Sequence, residues 1–134
     1  MLKTCLTGGI AALVLAGTVQ GAIAQDAGAR SYMEFCAGCH GADASGDGPL
    51  SEYISIPVPA LTALSGANDG AFPMARVLEV IDGRADIRAH GSIMPTWGSV
   101  FKAPLAGEIA PQGAEMAVRG RILSLAYYLE SIQE

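Results

Sequence analysis

An all-α fold of three main helices joined by long irregular loops is what this sequence predicts. Three observations carry that expectation. Apolar residues recur at helical spacing in three separated segments, and strand signals are scarce. The stretches between those segments are rich in glycine and proline and have no apolar period of their own. No internal repeat, low-complexity tract or domain boundary interrupts the chain.

The first 24 residues read as a leader rather than as part of the fold. Lys3 opens it, an apolar stretch runs from Leu6 to Val19, and Ala22-Ile23-Ala24 closes it before Gln25-Asp26. Charge, apolar core and A-x-A ending in that order predict a secretory signal peptide, 1–24, cleaved after Ala24, with a domain over 25–134. A retained anchor is the rival reading. The apolar run is shorter than the roughly 20 residues a bilayer requires, and it is broken by Thr7, three glycines and Thr18.

Removing 24 of the 134 residues leaves 110, enough for one domain with a modest core. Lys3 leaves with the leader, so the eight basic side chains become seven against 13 acidic ones, a formal charge of −6. No basic stripe remains to neutralise phosphates, which excludes nucleic acid as a partner class. An acidic surface instead favours docking to proteins that carry a positively charged patch. No second apolar stretch of spanning length follows, so no membrane insertion of the mature chain is expected.

The first helix is expected over Asp26–Ala37, with Asp26 as its cap and Ala27, Tyr32, Phe35 and Cys36 near helical spacing. Residues 41–49 form a turn-rich loop. Residues 55–72, with Pro57, Pro59, Gly66 and Gly70, suit an extended wrapping segment. A second helix spans Phe72–Ile81, with Pro73 in its first turn, Val77, Leu78 and Ile81 on one face, and Gly83 as its stop. A second irregular stretch runs from Gly91 to about Pro111. The last helix, about Gly113–Ser131, places Ile122, Leu125, Ala126, Leu129 and Ile132 along one face.

The chemistry lies at the end of the first helix, in Cys36-Ala37-Gly38-Cys39-His40. Two thiols at this spacing can add to the two vinyl groups along one haem edge. The histidine directly after the second cysteine then faces the iron from the same side. A thioredoxin-like pair would need a preceding strand and a βαβ context. Zinc would need two further ligands, with only His90 in prospect. A simple disulfide loop would leave His40 without a role. The motif therefore predicts one haem c, covalently held through Cys36 and Cys39, with His40 on the metal.

For the opposite side of the iron the sequence offers Met94, in Ser92-Ile93-Met94-Pro95-Thr96-Trp97-Gly98. Its thioether is a soft, neutral ligand, and Pro95 biases it towards an extended backbone that presents the side chain. His90 is the main competitor, and an open or exchangeable position is the third possibility. Met33 precedes Cys36 by three residues, while Met74 and Met116 fall in helical segments. Trp97 either bonds a haem propionate through its indole N–H or packs beside the ring. Arg84 and Arg88 either meet a propionate or are solvated charges, the latter being the favoured reading.

With these residues in view, the chain resembles the class I, single-haem c-type cytochromes over essentially its whole mature length. The resemblance rests on Cys36–His40, on Met94-Pro95-x-Trp97-Gly98 and on the final helix with Leu125, Tyr128 and Leu129. It implies that Gly28 and Tyr32 cross the last helix near Leu125 and Tyr128. It implies also that the Pro49 carbonyl accepts the hydrogen bond of His40's other ring nitrogen. The stretch from Asp82 to Arg88 has no clear match in the shortest members. The implied fold wraps long loops around one haem. The implied function is a periplasmic, non-enzymatic electron carrier, monomeric or in transient complexes. A gas- or peroxide-binding sensor or enzyme, and a dedicated subunit of an oxidoreductase, are the other readings.

Overall fold

The computed structural model describes residues 25–84 and 93–134. The leader, Arg88 and His90 lie outside the described residues. Among the described residues five α-helices appear: α1 over 25–35, α2 Ala37–His40, α3 Met74–Asp82, α4 Trp97–Lys102 and α5 Pro111–Ser131. Among the described residues there is no strand, only an isolated bridge between Ala106 and Ile109. The all-α expectation holds. Two of the five helices are short, and α4 lies inside the stretch read from sequence as irregular.

The core forms where α1, α3 and α4 meet α5. Val118, Ile122, Leu125, Ala126 and Leu129 recur along one face of α5 and are all buried. Val77 and Ile81 of α3, Phe101 of α4 and Tyr32 of α1 close over them. α5 begins earlier than its apolar pattern indicates, because Pro111 occupies a first-turn position where its missing N–H costs nothing. Its last turn is tied down by Gln133, which donates to the Leu129 and Leu61 carbonyls, each at 2.7 Å. That side chain satisfies a helix-end carbonyl and fastens the 61–65 segment to the helix.

Gly28 permits the crossing of α1 over α5. A Cβ there would overlap the carbonyl of Ser124 and lie 2.8 Å from Cβ of Tyr128. The same close approach brings the rings of Tyr32 and Tyr128 to a centroid distance of 5.3 Å. The crossing implied for Gly28, Tyr32, Leu125 and Tyr128 is therefore present. Tyr32 is wholly buried, and its hydroxyl donates to the Gly41 carbonyl at 2.6 Å. Burial first, and then the neighbouring Cys36, hold the phenol well above its ordinary pKa, so it remains a donor. Tyr32→Phe is expected to cost about 1 kcal/mol in urea unfolding, because Gly41 keeps its second partner, the Ala44 N–H.

The helix boundaries show where local signals were misleading. Asp26 is itself helical and pairs with Arg30, rather than standing outside the helix as its cap. α3 starts at Met74, behind Pro73, and ends as expected at Gly83, whose φ of 64° is left-handed and whose N–H returns to the Glu79 carbonyl. Residues 54–60 are irregular, but 61–71 coil through turns and a short 3-10 helix, Gly66–Asn68, rather than extending. No helix among the described residues is long and apolar enough to cross a membrane.

Candidate functional site

α1 is interrupted at Cys36, and α2 resumes the helical path for one turn. The Cys36 N–H bonds the Tyr32 carbonyl at 2.8 Å, and the His40 N–H bonds the Cys36 carbonyl at 2.9 Å. Cys36, Cys39 and His40 are thereby held on one helical end. Gly41 then turns the chain with a φ of 84°. The loop that follows folds back and caps α2 with its own amides. Gly46 donates to His40 at 2.8 Å, Gly48 to Cys39 at 3.1 Å and Leu50 to Gly38 at 2.8 Å. Three helix-end carbonyls that would otherwise need water are satisfied by one glycine-rich loop, which fixes the motif in place.

His40 is almost fully buried, and its Nδ1 lies 3.1 Å from the Pro59 carbonyl oxygen. A carbonyl can only accept, so Nδ1 carries the proton and Nε2 keeps its lone pair. Burial lowers the ring's pKa, partly offset by that same bond, which favours the neutral form that binds metals. The accepting proline is Pro59, not Pro49. Pro49 is exposed, between Gly48 and Leu50, whose N–H groups are both turned onto α2. Pro59 reaches the ring because Gly46, with a φ of 93°, lets residues 58–60 come close; a Cβ on Gly46 would overlap the Val58 carbonyl.

These side chains face a cavity of about 330 Å3, within the roughly 300–1,000 Å3 usual for cofactor pockets. Cys36, at the break before α2, and Cys39 and His40 of α2 line it from one side. Ile54, Val58 and Pro59 line it from the loop, Val80 from α3, and Ile93, Met94, Pro95 and Trp97 from the segment entering α4. The structure thus brings Met94 and His40 to one apolar cavity, while Pro49 is absent from its lining. Of the other methionines, Met33 and Met116 are exposed, and Met74 packs against the core at the start of α3.

Trp97 packs beside the cavity. Its ring stacks on Phe101 at 5.5 Å and meets Phe35 edge-on at 5.5 Å. Arg121 lies over Phe101 at 4.9 Å and over Phe35 at 5.4 Å, so a cation covers the outer side of this aromatic wall. The sequence reading did not foresee this role for Phe35, Phe101 and Arg121.

Arg84 is neither a solvated charge nor turned to the cavity. It bonds Asp82 through Nε at 2.5 Å and Nη2 at 2.8 Å, and Glu115 of α5 through Nη1 at 2.7 Å and Nη2 at 2.9 Å. Lys102 and Arg119 also reach Glu115, at 3.4 and 3.0 Å. Arg84 first, then Arg119, pull the Glu115 carboxyl from 4.5 to about 2. A depressed carboxyl stabilises the fold fully above its unfolded value and loses that contribution as pH falls through its folded one. The stability gap between wild type and Glu115→Gln is accordingly expected to be constant above pH 4.5 and to close between 4.5 and about 2, as read by urea unfolding across pH.

The residues present fit a covalently attached haem. Cys36 and Cys39 are free thiols on one wall. Burial and the neighbouring Cys39 push the Cys36 thiol up to about 12. Ile56 and Ile93 line the cavity yet are each about half exposed, apolar surface that a flat apolar group would cover. Among the described residues no three His, Cys, Asp or Glu side chains come together as a metal cage.

An all-α domain whose one-turn helix presents two thiols and a neutral imidazole to an apolar cavity is a haem-attaching protein of the c type. The family model for Cytochrome c matches residues 25–106, and the chain belongs to the cytochrome c family. It is a haem-based electron-transfer protein. Searches of curated proteins and of solved structures each found no match.

Proposed function

We propose that the protein is a periplasmic single-haem electron carrier, not an enzyme, in which His40 and Met94 hold the iron in both oxidation states. The observation that carries this reading is that Met94 and His40 line the same cavity, from the segment before α4 and from α2. Haem c supplies the one-electron ferric/ferrous couple. The chain's residues do the rest. Cys36 and Cys39 retain the cofactor, the Pro59 carbonyl orients His40, and the apolar lining excludes water and so disfavours the more highly charged ferric state. With His40 and Met94 both kept in place, reorganisation on electron transfer would stay small. Removal of the leader after Ala24 and export to the periplasm belong to the same proposal, in keeping with a family that is typically extracytoplasmic.

The docking face of this reading is the surface beside α2. Leu50 and Tyr53 are exposed there, Leu50 next to Gly38 between the two cysteines, and Asp43, Asp47 and Glu52 on the same loop are also exposed. An apolar patch with an acidic surround suits brief contact with a positively charged redox partner. Protein-film voltammetry of the holoprotein tests the function. A reversible one-electron wave, unmoved by carbon monoxide or peroxide, is expected. A catalytic current with peroxide, or a carbon monoxide shift, would move the sensor or enzyme reading to the front.

A further inference from the structure

The ion cluster around Arg84 lies away from the cavity, yet it stands where the segment that carries Met94 enters α4. Arg84 follows the end of α3 by two residues, and Gly98 stands in the first turn of α4. These two positions touch. A Cβ on Gly98 would overlap Asp82 Oδ1 and lie 2.5 Å from Arg84 Nε, so Gly98 is buried directly beneath the Asp82–Arg84 pair. Residues 93–97, Met94 among them, run directly into that contact. Glu115 fastens that point to α5 through two bonds to the guanidinium, and Lys102 adds a cation from the far end of α4.

We infer that Asp82, Arg84 and Glu115, closed onto Gly98, form a clasp whose task is to hold the Met94 segment at the cavity, making Arg84 and Glu115 positioning residues for the sixth ligand. This rests on the proposal that Met94 is that ligand. The physical reason is conformational entropy. Holding residues 93–97 in one conformation has an entropic cost, and a clasp closed on Gly98, four residues beyond Met94, meets part of that cost before the methionine engages. A thioether is a weak ligand that must compete with water and with added ligands. Its hold on the iron then depends on the fraction of molecules in which its segment is already in place. A planar guanidinium bound by two carboxylates has the geometry for such a fastening, which a lysine cannot reproduce.

The test is titration of the ferric holoprotein with imidazole, followed through the weak long-wavelength methionine–iron absorption band. The proteins compared are wild type, Met94→Ala, Arg84→Gln, Arg84→Lys, Glu115→Gln and Arg119→Gln. The clasp predicts that Arg84→Gln and Glu115→Gln bind imidazole about tenfold more tightly than wild type and show a weakened band. Arg84→Lys should recover only part of the difference. Arg119→Gln removes an exposed cation from the same carboxylate without touching Gly98, and should match wild type. If Arg84→Gln fails to mature, Glu115→Gln gives the same reading. Wild-type affinity and band in both clasp variants, even with a lowered melting temperature, would reduce the cluster to a structural tie and overturn the inference. A wild-type protein with no band that Met94→Ala abolishes would overturn the ligand assignment, and the clasp with it.

Discussion

Gly28→Ala is expected to lower the melting temperature of the holoprotein by about 15 °C, corresponding to about 3 kcal/mol for a domain of this size. The added methyl would overlap backbone atoms of Ser124 and would also meet the root of the Tyr128 side chain. Neither is the movable tip of a flexible side chain, so relief requires α1 to lift from α5. The lift would strain the Tyr32–Tyr128 contact and the Tyr32 bond to Gly41, which ties α1 to the turn after the haem-attachment motif. Gly66→Ala is the matched control: nothing lies within 4 Å of the added methyl, and the change should fall within about 0.5 kcal/mol. Equal melting temperatures for Gly28→Ala and wild type would mean that the helix crossing is looser than described.

A larger effect is expected from removing both attachment thiols. Cys36→Ala combined with Cys39→Ala should give a protein that shows no haem on a denaturing gel and has lost its cooperative melting transition. The cavity lies among Phe35 of α1, the Cys36–His40 turn, the 54–59 segment, Val80 of α3 and the entry to α4, so five parts of the chain depend on what fills it. Without a retained group, Ile54, Val58, Val80 and Trp97 would line a gap where close packing is required, and that gap is larger than the cavities that cost a core several kcal/mol. A cooperative transition in the double variant, at a temperature near wild type, would show that the helices pack without the covalent link.

The sequence was most informative where a feature repeats or where a spacing has a chemical cause. The apolar face of α5 could be read because Ile122, Leu125, Ala126 and Leu129 repeat over several turns. The attachment motif could be read because its spacing matches the vinyl groups of one haem edge. α4 could not. It has only six residues, and its apolar members Trp97, Val100 and Phe101 are too few to establish a period. The partner of His40 was missed for a different reason. Pro49 and Pro59 both follow the motif, and only the close approach at Gly46 determines which carbonyl reaches the ring. The position of Arg84 was hidden because Glu115 lies 31 residues further on, and no local pattern links two charges at that separation. What decided these cases was tertiary contact.

The claim that His40 and Met94 together hold the iron is tested most directly by the absorption spectrum of the ferric holoprotein, recorded for wild type and Met94→Ala. A low-spin spectrum with the weak long-wavelength methionine–iron band is expected for wild type. In Met94→Ala the band should be lost, and the reduction potential should fall by on the order of 0.1 V within the roughly 0.8 V that axial ligands span. A high-spin wild-type spectrum, or a low-spin one that Met94→Ala leaves unchanged, would contradict the assignment and point to an open position or to His90.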